Sequence, residues 1–244
     1  VDCIVFWTKD PARMLGDLSA LTSYPYYVQV SLTPYGKDIE ENLRPKRDIV
    51  KTVQALSLRL GRARVVWRYD PILLNDRYTI DRHLTWFEQT LERCVISFID
   101  LYAKVQRKAT ERNLHALSEG EIHALSAGLS NIAKGSGVTL QTCAEEMELE
   151  AYGIAHGACI DGALIARLTG KAVRVGKAKS QRPLCRCVDS FDIGQYDTCI
   201  HGCCYCYAND SLEKARQGFR GHDRRSSLLT GRLLGDERIT IHER

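Results

Sequence analysis

The chain has 244 residues, of which 44% are hydrophobic and 26% are charged, and its formal net charge is +4. This length and apolar content predict one large domain with a sizeable core, and so mild a charge does not by itself indicate nucleic-acid binding. The sequence has neither an apolar run as long as a membrane span nor a basic leader, so we expect a cytoplasmic protein without a membrane partner. Because it opens inside an apolar run and without methionine, we expect upstream residues to be missing.

Five short apolar runs, rich in β-branched and aromatic residues, predict buried strands. In chain order they cover residues 3–7, 26–30, 65–67, 94–96 and 138–140. Prolines at positions 11, 34 and 71 follow the first three runs and end those strands.

Helical periodicity fills the intervals between the runs. It predicts helices over 50–60, before Gly61, and over 84–91. A third begins at the capping-box pair Ser118 and Glu121 and ends at Gly135. Alternating strands and helices predict a single α/β domain over 1–244 with a parallel sheet. We expect a full or partial TIM-type barrel, with a doubly wound open sheet as the alternative.

Polar side chains follow most of the predicted strands. In a parallel barrel, strand ends converge on one mouth, where active sites are built. A simpler explanation, that polar residues commonly end strands, is sufficient for Ser31 and Ser97. The residues at these ends are Thr8, Lys9, Ser31, Thr33, Arg68, Asp70, Ser97 and Cys143.

Six of the ten cysteines fall between Cys185 and Cys206. Secreted disulfide frameworks are usually short chains with small cores, so this clustering favours metal ligands in a reducing compartment. Cys199, Cys203 and Cys206 have C-x-x-x-C-x-x-C spacing, which supplies three thiolates to a four-iron cluster and leaves one iron open. The alternative is a zinc site, with Cys204 or His201 as the fourth ligand.

The segment 199–206 resembles the cluster-binding loop of the radical S-adenosylmethionine (SAM) superfamily, including Tyr205 before the last cysteine. The stretch that continues to Asn209 is similar to the spore-photoproduct-lyase-like branch of that superfamily. Segments 6–11, 30–36 and 67–72 resemble barrel strands of the same branch. The whole chain resembles an uncharacterised domain-of-unknown-function family with a radical-SAM-type cysteine cluster at its C-terminus.

The resemblance implies a circular permutation, because the superfamily's cluster loop normally follows the first strand and here comes last. Residues 1–184 would supply the barrel units, and residues 185–244 the permuted strand (at 186–191), the cluster loop and a tail. The resemblance also implies that an N-terminal strand is missing.

The resemblance further implies a [4Fe–4S] cluster on Cys199, Cys203 and Cys206, with SAM on the open iron. SAM cleavage would give a 5′-deoxyadenosyl radical that abstracts hydrogen from an unknown substrate, a small molecule or a nucleic acid. Flavodoxin or ferredoxin would donate the electron. The residues expected to contact SAM are Tyr205, Thr8, Lys9, Ser31, Thr33, Arg68 and Asp70.

Four further cysteines, Cys143, Cys159, Cys185 and Cys187, are candidates for an auxiliary iron–sulfur cluster if their sulfurs meet. The alternative is that they are small buried hydrophobes. For the whole protein, the alternative to a radical SAM enzyme is a non-catalytic iron–sulfur or zinc-binding module. Basic stretches at 167–186 and 216–225 keep nucleic acid among the possible substrates, although solvated loops explain them more simply.

Overall fold

The computed structural model describes residues 1–87, 93–173, 176–178, 181–231, 233 and 235. Its centre is a six-stranded parallel sheet in which neighbours along the chain are also neighbours in space. The strands are β1 (Ile4–Thr8), β2 (Tyr26–Ser31), β3 (Val65–Ile72), β4 (Arg93–Phe98), β5 (Thr139–Thr142) and β6 (Ala155–His156).

Helices connect the strands and follow the last one. They are α1 (Met14–Asp17), α2 (Lys46–Leu60), α3 (Ile80–Phe87), α4 (Ala103–Thr110), α5 (Glu119–Ser136), α6 (Gly162–Thr169) and α7 (Leu212–Arg220). Three short 3-10 helices cover Leu18–Leu21, Arg62–Arg64 and Glu150–Tyr152. Within the described part of the chain, none of the helices has both the length and the apolar character needed to cross a membrane.

The predicted strands and helices are largely confirmed. All five predicted strands are present, and α2 ends at Gly61 as expected. Helix α5 begins with both halves of the capping box between Ser118 and Glu121, but it ends at Ser136 because Gly137, not Gly135, adopts the left-handed conformation, with φ 68°. The end of the helix predicted over 84–91 lies outside the described residues.

The predicted strand at 186–191 is wrong. Val188 forms only an isolated antiparallel bridge, with Lys177. Its N–H donates to the carbonyl of Ile160 at 3.0 Å, and the N–H of Asp189 donates to the carbonyl of Gly176 at 2.9 Å. The segment's backbone is therefore hydrogen-bonded to residues of two loops, and it adds no strand to the parallel sheet. The permutation therefore gains no support from this segment.

The strand order never reverses within the described sheet. A doubly wound sheet has such a reversal, at its switch point, whereas consecutive order is the order of a (β/α) barrel. Strands β1 and β6 are the two edges of the sheet among the described residues. The sheet is therefore compatible with part of a barrel, and closure stays a prediction.

The two faces of the sheet bury different chemistry, because side chains alternate along each strand. One face carries residues such as Val28, Trp67 and Ile96 and forms the large apolar core with α2, α3 and α5. The opposite face packs Tyr27, Val66 and Val95 against α6. It also buries the polar residues Gln29, Arg68 and Ser97 toward the carboxyl end of the sheet. That end carries the candidate site.

Candidate functional site

The cysteine loop at 199–206 is fastened to the segment that follows β2. The N–H of Cys204 donates to the carbonyl of Ile39 at 2.9 Å, and Cys203 pairs with Glu40 in an antiparallel bridge. The N–H of Asn42 donates to the carbonyl of His201 at 2.9 Å. A loop with these partners is held by its backbone, independently of its thiols.

Asn209 closes the loop from its other side. Its side-chain amide donates to the carbonyl of Cys199 at 2.6 Å. Its own side-chain oxygen is buried and has no hydrogen-bond partner among the described residues. A buried acceptor without a donor is costly, so this oxygen marks a place where a further polar group fits.

The three motif thiols differ in exposure: Cys203 is buried, Cys206 is half-buried and Cys199 is exposed. Burial is the main cause that raises the pKa of Cys203 to about 12, with nearby Lys9 opposing the rise and Glu40, Cys199 and Cys206 adding to it. The adjacent Cys204 packs elsewhere, in an apolar cluster with Tyr35 and Tyr78. The two neighbouring thiols therefore point into different surroundings.

Glu40 is the electrostatic centre beside the loop, and its carboxylate is fully buried. Lys9 Nζ lies 2.9 Å from Oε1 of Glu40, and Thr33 Oγ1 donates to the same oxygen at 3.0 Å. Lys46 pairs with the other oxygen, Oε2. The hydroxyl of Tyr205 donates to the same carboxylate. Burial alone would raise the pKa of Glu40, but Lys9 and Lys46 outweigh it and lower the pKa to about 2.

Two lysines share this one carboxylate, so the group formed by Lys9, Lys46 and Glu40 carries an excess positive charge. Lys9 also lies over the ring of Tyr205, 5.1 Å from its centroid. Burial would lower the pKa of Lys9, but Glu40 and Cys203 reverse that and raise it. The charge of Lys9 can attract an anion at the carboxyl end of β1.

Arg68 and Asp70 form a second ion pair, beside the first, in which Arg68 is buried and Asp70 is half-buried. Arg68 Nε donates to Asp70 Oδ2 at 2.9 Å, and Ser97 Oγ donates to Asp70 Oδ1. Burial would raise the pKa of Asp70, but Arg68 and Ser97 lower it. We expected Arg68 and Asp70 to follow a strand that ended near Trp67. They lie instead within β3, two residues apart on one face, because β3 continues to Ile72.

Arg68 also reaches one of the four remaining cysteines of interest, whose side chains lie in one cluster. Cys159, Cys185 and Cys187 are buried together, and Cys143 packs against them. The Sγ atoms of Cys143 and Cys159 are 2.8 Å apart. Arg68 donates to Cys159 Sγ. We refer to Cys143, Cys159, Cys185 and Cys187 as the four-thiol cluster.

The thiols of this cluster perturb one another's pKa values. Hydrogen bonding with Cys159 is the main cause that lowers the pKa of Cys187 to about 5 and that of Cys143 to about 7. The pKa of Cys159 is raised, first by those same hydrogen bonds. The cluster therefore favours thiolate at two of its positions.

The other residues expected to contact SAM, Thr8 and Ser31, take less part in these ion pairs and cysteine clusters. Thr8 Oγ1 accepts the N–H of Asp10 at 3.0 Å, a local turn, and Ser31 is the half-buried last residue of β2. Sequence reasoning missed Glu40, Lys46 and Asn209. They lie in or beside irregular segments without periodicity, and only the density of charge at 37–47 could have drawn attention to the first two. Among the described residues, no group of three or more His, Cys, Asp or Glu side chains is arranged to hold a single metal ion.

Together these features define an α/β protein whose parallel sheet carries buried ion pairs and cysteine-rich segments at its carboxyl end. A family model described as "Domain of unknown function (DUF1848)" matches residues 1–208. The chain belongs to this family. No curated protein and no solved structure matches the chain.

Proposed function

We propose that this protein is a radical SAM enzyme, with a [4Fe–4S] cluster on Cys199, Cys203 and Cys206. The observation that carries the proposal is the position of the cysteine loop. The contact of Lys9 with Tyr205 and the pairing of Glu40 with Cys203 attach the loop to the residue directly after β1 and to the segment that follows β2. Active sites of parallel α/β sheets are built at the carboxyl ends of the strands.

The three motif thiols suit a four-iron cluster in which one iron is left open. Cys199 and Cys206 lie close enough to Cys203 in one loop to add to its raised pKa, and the neighbouring Cys204 is turned away into an apolar cluster. The side-chain oxygen of Asn209, which has no hydrogen-bond partner in the part of the chain that the structure describes, belongs to the side chain that contacts Cys199 and can meet a polar group of a bound molecule. Because metal binding requires thiolates, the raised pKa of Cys203 means that this thiol loses its proton when metal enters.

The chain's own residues then have separable roles. Lys9, held by Glu40, supplies positive charge that attracts the carboxylate of SAM and favours anionic thiolates. Lys46 secures the other oxygen of Glu40 and so keeps Lys9 in place. The ring of Tyr205 covers this ion pair and excludes water from it, which strengthens the electrostatic attraction inside. Arg68 and Asp70 are positioned to orient a substrate at the next strand.

The bound cluster and SAM would supply reductive cleavage of SAM and a 5′-deoxyadenosyl radical that abstracts hydrogen from the substrate. The substrate is a small molecule or a nucleic acid, and a flavodoxin or a ferredoxin is the expected electron donor.

The test is anaerobic reconstitution with iron and sulfide, followed by reduction with dithionite in the presence of SAM. We expect formation of 5′-deoxyadenosine and methionine, measured by chromatography. The Cys203→Ala variant should lose at least 100-fold of this activity, a barrier increase of about 2.7 kcal/mol. The matched control is Cys204→Ala, whose thiol is adjacent in sequence but packs with Tyr35 and Tyr78.

Equal loss in the two variants would contradict the assignment of Cys203 as a ligand. Iron and sulfide bound without any SAM cleavage would favour the alternative, a non-catalytic iron–sulfur module. Stoichiometric zinc without iron after reconstitution would overturn the cluster itself.

A further inference from the structure

The four-thiol cluster is separate from the motif cysteines. Its members come from three segments: Cys143 directly follows β5, Cys159 follows β6, and Cys185 and Cys187 lie in the loop after α6. We propose that these four thiols are the ligands of a second metal centre of the tetrathiolate class, which iron–sulfur clusters and structural zinc sites share.

The first argument is convergence. Four cysteines drawn from segments up to 44 positions apart share one buried cluster, in which Cys143 Sγ and Cys159 Sγ are 2.8 Å apart. Thiolates around one zinc ion lie about 3.8 Å apart, since each Zn–S bond is about 2.3 Å. Among the described residues the four thiols as placed do not surround a single ion, and these two sulfurs must separate by about 1 Å before one fits between them. A cluster, in which each thiolate binds a different iron, needs a larger shift.

The second argument is that N–H donors already point at the sulfurs. The backbone N–H of Ile160 donates to Cys187 Sγ at 3.3 Å, and Arg68 donates to Cys159 Sγ. Hydrogen bonds to ligand sulfur stabilise the anionic thiolate and tune thiolate metal sites. The guanidinium of Arg68 is already paired with Asp70, so its bond to Cys159 Sγ is additional to that pair.

The third argument is the lining. Side chains as small as Ala144, Ala158 and Ala178 pack against the thiols. A tetrathiolate centre carries net negative charge, and the nearby Arg68 compensates part of it. Four thiolates leave no open coordination position, so the centre would carry electrons or stabilise the fold. The Arg68–Asp70 pair lies between it and the Lys9 side of the site.

The test uses the full chain with the motif thiols removed, as the triple variant Cys199→Ala/Cys203→Ala/Cys206→Ala, purified anaerobically. Metal and sulfide are measured per chain. We expect the variant to retain either about one zinc, or about four irons with as many sulfides. The two results distinguish an ion from a cluster, and either supports the second centre.

Adding Cys187→Ala to the triple variant should reduce the retained metal at least tenfold. Adding Cys3→Ala instead is the control, because Cys3 belongs to neither set and lies near Arg64. If the Cys187 variant does not fold, Cd²⁺ titration of the triple variant, followed by the thiolate-to-metal absorbance, gives the stoichiometry directly.

A triple variant that binds neither iron, zinc nor added Cd²⁺ would overturn the second centre, as would a disulfide between Cys143 and Cys159 in the anaerobic protein. These results leave the proposed function intact, because SAM cleavage is tested through Cys203. Metal retained in the triple variant, together with no SAM cleavage by the parent chain, would do the opposite: it would support the second centre and contradict the proposed function.

Discussion

The two cysteine-rich regions at the carboxyl end of the sheet are built in different ways. The motif loop is one contiguous segment whose backbone is bonded to residues 39–42, so its thiols are placed by local structure. The four-thiol cluster is assembled from three segments and depends on β5, β6 and a later loop being in place at once. The first arrangement tolerates loss of a thiol, whereas the second is part of the packing that holds its segments together.

The charges beside the two regions differ as well. Next to the motif loop, Glu40 is held by Lys9 and Lys46, and its pKa falls to about 2. Next to the four-thiol cluster, burial raises the pKa of Glu145 to about 7, and Asp100 adds to the rise. Burial acts in the same direction on both carboxyls, so the difference between them comes from the neighbouring charges. Two of the three predictions below test that contrast, and the third tests the local placement of the motif loop.

The largest effect is expected at Glu40. Glu40→Ala leaves Lys9 and Lys46 buried without their carboxylate and should cost about 3–5 kcal/mol of stability, measured by urea unfolding. The stabilisation lost in this variant depends on pH. A lowered carboxyl pKa stabilises the fold above the unfolded-state pKa of about 4.3, and this stabilisation disappears as the pH falls toward 2. The variant's disadvantage should therefore shrink in acid.

The matched control for this prediction is Glu41→Ala, because Glu41 is the exposed neighbour of Glu40. Its unfolding free energy should stay within about 0.5 kcal/mol of the parent. Similar losses from the two variants, or a loss at Glu40 that does not depend on pH, would show that the buried ion network is not what stabilises the loop region.

Much of the fold could be predicted from the sequence because its signals are local. The runs that became β1 to β5 are rich in β-branched and aromatic residues, and α5 begins at its capping box. Strand β6 was missed because two residues carry no pattern. The strand predicted at 186–191 was wrong because Val188 is a half-buried loop residue that packs against the cluster containing α6, and such a tertiary contact resembles a strand residue in sequence.

The candidate site, too, could be predicted from the sequence only where its signals are local. The spacing of Cys199, Cys203 and Cys206 identifies the motif loop directly. Cys143 meets Cys159 because both follow neighbouring parallel strands, β5 and β6, of which the sequence predicted only β5. No local sequence pattern predicts that Cys185 and Cys187 meet Cys143 and Cys159, or that Glu40 meets Lys9. Those contacts depend on how irregular segments pack.

An intermediate effect is expected at Glu145, with the opposite pH dependence. A raised carboxyl pKa favours folding below the unfolded value of about 4.3, and that advantage is lost as the pH rises through about 7. Glu145→Gln keeps an oxygen that can accept the N–H of Phe98, now 2.9 Å from the carboxylate. It should be more stable than the parent by about 2 kcal/mol at pH 8 and nearly equal to it at pH 5.

Urea unfolding at the two pH values measures this effect, and Glu146→Gln serves as the exposed control, with no change expected at either pH. A stability difference that is the same at pH 5 and pH 8 would mean that the fold does not raise the pKa of Glu145. The contrast between the pKa values of Glu145 and Glu40 would then disappear.

The smallest effect is expected at Gly202, within the motif loop. Its φ is +68°, a conformation that costs other L-residues about 1–2 kcal/mol. An added Cβ would also lie 3.0 Å from Nδ2 of Asn42, which donates to the carbonyl of Ile200. Gly202→Ala should therefore destabilise the protein by about 1 kcal/mol in urea unfolding and lower the iron retained after reconstitution. The four-thiol cluster should be unaffected, because its segments do not contain this turn.

Gly16→Ala is the control for that last substitution, since a Cβ there meets open space and its backbone lies in α1. It should leave iron binding unchanged and add a few tenths of a kcal/mol, as alanine favours helix over glycine. The double variant Gly202→Ala/Asn42→Ala separates the two causes, because removing Asn42 relieves the close contact but not the cost of the left-handed conformation. Full recovery of iron binding in the double variant would assign the effect to the contact. Persistent loss would assign it to the backbone, as expected for a loop placed by its own conformation.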